Sequence, residues 1–283
     1  MTNKKLAWLR LGIFTLISYA FLWIPVLIFD KDITKETAPL PFFVMLFVGF
    51  GPAFGNLLTR LITKEGFHET FLHFRFEKWK YYLSAPVVNV LLVSLGTLVG
   101  MFVLRDKLIT PEESFAAFQI TTALLSNVSV LPVFALYTLG EELGWRGYMM
   151  PRLEKLIGTV PSIIVGGIIW AVWHAPLFQY GYNFGTDYPF FPYLGIGLMC
   201  VYSTALNAVY TWLTKRTGTV YVSSIAHAAN NILGGVVAEL VFGYKSVVDS
   251  DSFTGNCVAT ITILLLSTYF MYLCCKNKEY DMP

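Results

Sequence analysis

Eight runs of roughly twenty predominantly apolar residues divide this chain: 8–29, 42–62, 82–104, 121–139, 160–178, 191–213, 220–242 and 254–275. A bilayer core about 30 Å thick takes roughly 20 helical residues to cross. Inside it every backbone polar group must be satisfied within its own segment. Runs of this length and number predict an all-α polytopic membrane protein, a bundle of about eight transmembrane helices. The composition agrees. Hydrophobic residues make up 55% and charged residues 13%, about half the charge of an ordinary soluble domain. This excludes disorder, a coiled coil and a nucleic-acid module, and a net charge of +2 implies no polyanionic partner. The first run is too long for a signal-peptide core and lacks a small-residue exit, so it is expected to stay in the mature protein.

Basic residues orient the spans. With the N-terminus in the cytoplasm, fifteen of the twenty Lys and Arg residues fall on the cytoplasmic side and five, Lys31, Lys35, Arg105, Lys107 and Lys245, on the other. Both termini are then cytoplasmic. Between the second and third spans, residues 66–80 (GFHETFLHFRFEKWK) read as a cytoplasmic amphipathic helix in the headgroup layer, with His68 and His73 on its solvated face. Cys200, Cys257, Cys274 and Cys275 lie in or beside apolar runs without C-x-x-C spacing and read as apolar fillers. No repeat or linker interrupts the chain, so residues 1–283 read as a single membrane-embedded domain with its motif core at about 121–242.

Ionisable groups inside a membrane are costly and face a bundle interior or a cavity. Here they group. Glu141, Glu142 and Arg146 lie in LGEELGWRGYMMPRL, Trp170 and His174 in IIWAVWHAPLF, and His227 and Asn231 in SSIAHAANNILGG. Glu142 and Arg146 are four apart and can pair on one face, whereas Glu141 points about 100° away. His227 and Asn231 share a face, and Trp170 lies one turn before His174, where it can wall a site. Ile157-Gly158-Thr159-Val160-Pro161 reads as a helix–helix turn. Glu141 and His174 are then both roughly 22–24 Å from it. His227 and Asn231 lie roughly 14 and 20 Å beyond Gly218. This convergence requires the Glu-bearing helix to run from about 121 to 156, with tilt or protrusion. Such a set supports a Glu general base on water, a His that orients it, and His or Asn donors for an oxyanion. Glu141, His174 and His227 are also a three-ligand set for zinc, although H-E-x-x-H is absent.

The pattern E-E-x-x-x-R, aromatic-x-x-x-H and H-x-x-x-N resembles the CPBP or Abi family, which contains the type II CAAX prenyl endopeptidases and bacterial bacteriocin-processing and immunity proteins. Trp170 stands where the second motif usually has Phe. The resemblance implies an intramembrane endopeptidase acting near the C-terminus of a membrane-associated, prenylated CAAX protein or a peptide. It implies Glu141 as general base, His174 as its helper, His227 and Asn231 as the oxyanion site, and Glu142, Arg146 and Trp170 as support. Family members are described both as metalloproteases and as metal-free glutamate proteases. With no compact metal-ligand pair, no cofactor is favoured and zinc is the alternative. The expected partners are membrane lipid and a membrane-anchored substrate, without nucleic acid, and the breadth of the family makes a bacterial plasma membrane the expected location. The competing readings are a non-catalytic scaffold or immunity regulator on the same fold, and a proton-coupled transporter.

Overall fold

The computed structural model describes residues 3–33, 47–105, 117–233, 249–276 and 280, and every regular element among them is helical. In chain order they are α1 (Asn3–Ile33), α2 (Gly51–Ile62), α3 (Trp79–Val103), α4 (Ala117–Gly144), α5 (Met150–Ile157), α6 (Thr159–Trp173), α7 (Tyr193–Thr217), α8 (Val220–Leu233) and α9 (Asp249–Lys276). Neighbouring pairs run α1–α2–α4–α8–α3–α9–α7–α6 and back to α1, so these helices close a ring of contacts. Its core gathers Phe14, Trp145, Tyr148, Met149, Met150, Leu206, Val209 and Tyr210.

Four stretches, Asn3–Ile28, Phe76–Val103, Tyr193–Thr217 and Phe253–Lys276, are long and apolar enough to cross a membrane, and Thr159–Trp173 is apolar but shorter. The chain is a helical membrane protein, but its elements do not map one to one on eight equal spans. In run 42–62, residues 47–49 are helical and a turn at Phe50 separates them from the 12-residue α2, with 42–46 outside the described residues. Run 160–178 stops as an α-helix at Trp173, because Pro176 disfavours helical geometry at Ala175. Run 121–139 lies within α4. Run 220–242 is described as α8 to Leu233, and 234–242 lie outside the described residues.

The Glu-bearing helix does run long. Alpha4 continues through a five-residue π-turn, Trp145–Met149, directly into α5. Asn56 of α2 donates to the Leu143 carbonyl at the entrance of that turn, 2.9 Å away. Gly158, at φ 84°, closes α5 in a conformation that glycine adopts freely, and α6 begins at Thr159 as the sequence predicted.

Residues 66–75 form no helix, which corrects the expected amphipathic one; only Phe76–Lys78 make a 3₁₀ turn. The apolar and basic residues recur at helical spacing, but the backbone turns through positive φ at Lys64, Glu69 and Phe71. Buried Arg60 gathers the loop, donating to the carbonyls of Gly66 at 2.7 Å, His68 at 2.9 Å and Glu69 at 3.3 Å. Three charge-assisted bonds to carbonyls outweigh the weak helix preference of so short a segment. The loop then positions the site, because the Phe71 carbonyl accepts the first N–H of α8, from Val220, at 3.0 Å. Nearby, burial alone would raise the Glu65 carboxyl. Donation from Arg152 at 2.5 Å and Tyr148 at 2.9 Å, with Arg10 close by, holds it below the usual carboxylate range instead.

Alpha6 and α7 meet at a seam of small residues. A Cβ built on Gly167 would lie 2.5 Å from the Thr204 Cα and 2.8 Å from its backbone nitrogen. Gly167→Ala is therefore expected to push α6 off α7 and destabilise the fold by about 1–3 kcal/mol. Thermal unfolding in detergent checks this, and an unchanged Tm would show that the seam yields without cost.

Candidate active site

Three helices and one cap position the polar group. Glu141 and Glu142 end α4 just before the π-turn, Arg146 lies in that turn, His174 caps the C-terminus of α6, and His227 and Asn231 lie on α8. The register between α4 and α8 is set one turn earlier. Thr138 donates to the Ser224 carbonyl at 2.8 Å, and the Ser224 hydroxyl donates to the Ala135 carbonyl at 2.5 Å. That clasp brings residue 142 opposite residue 227.

Glu142 is fully buried and carries two contacts on one oxygen. Arg146 Nη1 donates to Oε1 at 2.8 Å, and His227 Nδ1 lies 3.0 Å from the same atom. The pair four residues apart thus forms as its spacing suggested, and His227 joins it. The Arg146 guanidinium lies over the Trp170 ring at 4.2 Å and the Tyr210 ring at 4.9 Å. These aromatic faces compensate a buried cation where hydrogen-bond acceptors are few. His227 sits between the same two rings, edge-on to Trp170 at 5.2 Å and stacked on Tyr210 at 5.5 Å.

Glu141, 3% exposed, has a different partner. The Trp170 indole N–H donates to its Oε2 at 2.8 Å. Trp170 therefore does more than wall the site. Its carbonyl also faces His174 Nδ1 at 3.0 Å, which fixes that nitrogen as the N–H and leaves Nε2 as the acceptor. The His174 ring stacks on Tyr182, with centroids 5.3 Å apart and planes 13° apart.

A cavity of about 570 Å³ opens beside these residues, and Trp170, His174, His227 and Asn231 all line it. The two glutamates do not; each is tied to a lining residue, Glu141 to Trp170 and Glu142 to His227. Sequence reasoning missed Tyr202, Asn230 and Tyr210. The first two line the cavity, and all three are ordinary helix residues in sequence. Only the doubled Asn230-Asn231 could have drawn attention.

The alternative zinc ligands are Glu141, His174 and His227. Glu141 is engaged by an indole and His227 faces Glu142, and among the described residues no three His, Cys, Asp or Glu side chains are grouped to hold a metal ion.

Comparison with known proteins falls on the same stretch. Residues 122–233 match the family model described as type II CAAX prenyl endopeptidase, Rce1-like. The matched segment runs from α4 to the end of α8 and contains all seven residues singled out from the sequence. The chain is also similar to CAAX prenyl protease 2 of Methanococcus maripaludis, 31% identical over 100 residues, or 31% of this chain and 37% of that protein. The alignment thus spans little more than a third of the relative's length.

Proposed function

From the premise that residues 122–233 carry the Rce1-like protease segment, we propose that this protein is an intramembrane endopeptidase that hydrolyses a peptide bond near the C-terminus of a membrane-associated protein, a prenylated CAAX substrate above all. The observation that carries this reading is the convergence on one cavity. His174, His227 and Asn231 line it with Trp170, and two buried carboxylates are hydrogen-bonded behind it, Glu141 to Trp170 and Glu142 to His227.

The chemistry follows from the contacts. Trp170 holds one Glu141 oxygen, and the other is left to take a proton from water. His174 accepts at Nε2 and orients that water. The water oxygen bonds to the scissile carbonyl carbon as its proton passes to Glu141, and the C=O electron pair moves onto oxygen. The Asn231 amide donates to that oxyanion, and so does His227 from Nε2 when its imidazole carries a proton on both nitrogens, with Glu142 accepting at Nδ1. Collapse breaks the C–N bond, and the proton held by Glu141 goes to the leaving amine. Glu141 thus serves first as base and then as acid, and none of the steps uses a metal.

The whole chain is read as a single membrane domain with its motif core at about 121–242 and both termini cytoplasmic, in a bacterial plasma membrane. The excess of Lys and Arg on one side supports the orientation.

The test is cleavage of a quenched farnesylated CAAX peptide by the purified protein in detergent. Wild type is run beside Glu141→Ala, each with and without a zinc chelator, with an active relative as control. Turnover is expected in wild type, unaffected by chelator and absent in Glu141→Ala. Loss with chelator would overturn the glutamate mechanism. Absence of cleavage while the control works would overturn the prenylated substrate.

A further inference from the structure

Two residues outside the proposed catalytic set control which end of the Asn231 amide meets the cavity. Tyr202 of α7 donates its hydroxyl to Asn230 Oδ1 at 2.8 Å, and Asn230 Nδ2 donates to Asn231 Oδ1 at 3.2 Å. All three line the same cavity. An amide presents an acceptor on one side and two donors on the other, so the bonds of this chain have a direction. With the phenol as donor, the Asn230 carbonyl is taken, its NH2 turns to Asn231, and the Asn231 carbonyl is taken in turn. What remains for the cavity is the Asn231 NH2. If the chain ran the other way, the Asn231 oxygen would face the cavity and repel an oxyanion.

The direction is set at Tyr202. A phenol oxygen shares its lone pairs with the ring, so it donates more readily than it accepts. It is anchored on α7, a helix separate from α8. Adjacent positions on one helix diverge by about 100°, so Asn230 and Asn231 do not orient each other by backbone geometry alone. A phenol on the facing helix supplies the missing reference.

We propose that Tyr202 and Asn230 are positioning residues that polarise the Asn231 amide, so that it presents N–H donors to the developing oxyanion. This rests on the reading of Asn231 as an oxyanion donor. Donors aimed where charge develops act on the transition state and not on substrate affinity. Tyr202→Phe should therefore lower kcat about tenfold with KM within about twofold. Asn230→Asp should do more. A carboxylate offers only acceptors, so the Asn231 NH2 would turn toward it and the Asn231 oxygen toward the cavity. The loss should then match that of Asn231→Ala, about 100-fold in kcat.

The experiment measures kcat and KM for the farnesylated peptide, with the affinity of a phosphinate peptide whose tetrahedral anionic group replaces the scissile amide. Phosphinate affinity should fall with kcat in Tyr202→Phe, Asn230→Asp and Asn231→Ala, while affinity for the amide peptide holds. A packing role for Tyr202 would not separate the two ligands. If Asn231→Ala weakens phosphinate binding but Tyr202→Phe and Asn230→Asp do not, the proposal is overturned and the oxyanion reading stands. If Asn231→Ala has no effect either, the oxyanion reading falls and takes the proposal with it. Should Asn230→Asp fail to fold, Tyr202→Phe decides, and phosphinate binding reads its effect without turnover.

Discussion

Arg146→Ala is expected to lower the unfolding free energy by about 3–5 kcal/mol, because it strands a buried carboxylate. The guanidinium is 1% exposed and bonds Glu142 at 2.8 Å, and Glu142 is fully buried. Removing the cation leaves Glu142 with His227 as its remaining partner. It also opens a space between Trp170 and Tyr210 that the flat guanidinium fills. Arg146→Lys should recover only part of the loss, since an ammonium cannot lie flat against both rings. The double variant Arg146→Met with Glu142→Gln should be less damaged than Arg146→Ala, because no charge is then left unpaired. Thermal unfolding in one detergent compares all three. A Tm for Arg146→Ala equal to that of wild type would show that the pair does not hold the site.

The second large effect separates two adjacent glutamates. Glu141→Gln keeps the shape and can still accept from the Trp170 indole, but it cannot take a proton from water. Turnover should fall at least 1,000-fold with Tm within a degree or two, as for loss of a general base and its electrostatics together. Glu142→Gln should behave differently. The amide oxygen can still accept from both partners, but the charge that pairs with the buried Arg146 is gone, so stability should fall by about 2–4 kcal/mol alongside activity. Full turnover in Glu141→Gln would refute its assignment as the base. Equal stability losses in the two variants would show that they share one structural task.

How much of this was legible beforehand depends on how local each determinant is. Runs 8–29, 82–104, 191–213 and 254–275 announce helices because length and hydropathy suffice, and helices α1, α3, α7 and α9 follow them. The pair of Glu142 and Arg146 was legible because four residues is one helical turn. Residues 66–75 were misread because a buried arginine on α2 takes their carbonyls, and no local pattern records a bond to Arg60. The Trp170–Glu141 and His227–Glu142 bonds were out of reach for a related reason. They depend on how α6 and α8 are rotated against α4, and the clasp of Thr138 and Ser224 that sets one of those rotations joins residues 86 positions apart. Depth could be counted from the sequence, but rotation about each axis could not.

The wide turn at Trp145–Met149 also imposes a counting rule on the chain. On its near side Glu142 meets His227, while Tyr148 near its end and Arg152 beyond it meet Glu65. A π-turn holds one residue more than an α-turn, so it rotates everything beyond it by about 100° relative to a regular helix. Delete one residue there and the helix can dock on α8 or on the Glu65 loop, but not on both. Between Glu142 and Arg152 the length is fixed as firmly as the residues that make these contacts. Related chains should therefore carry no insertions or deletions in this stretch.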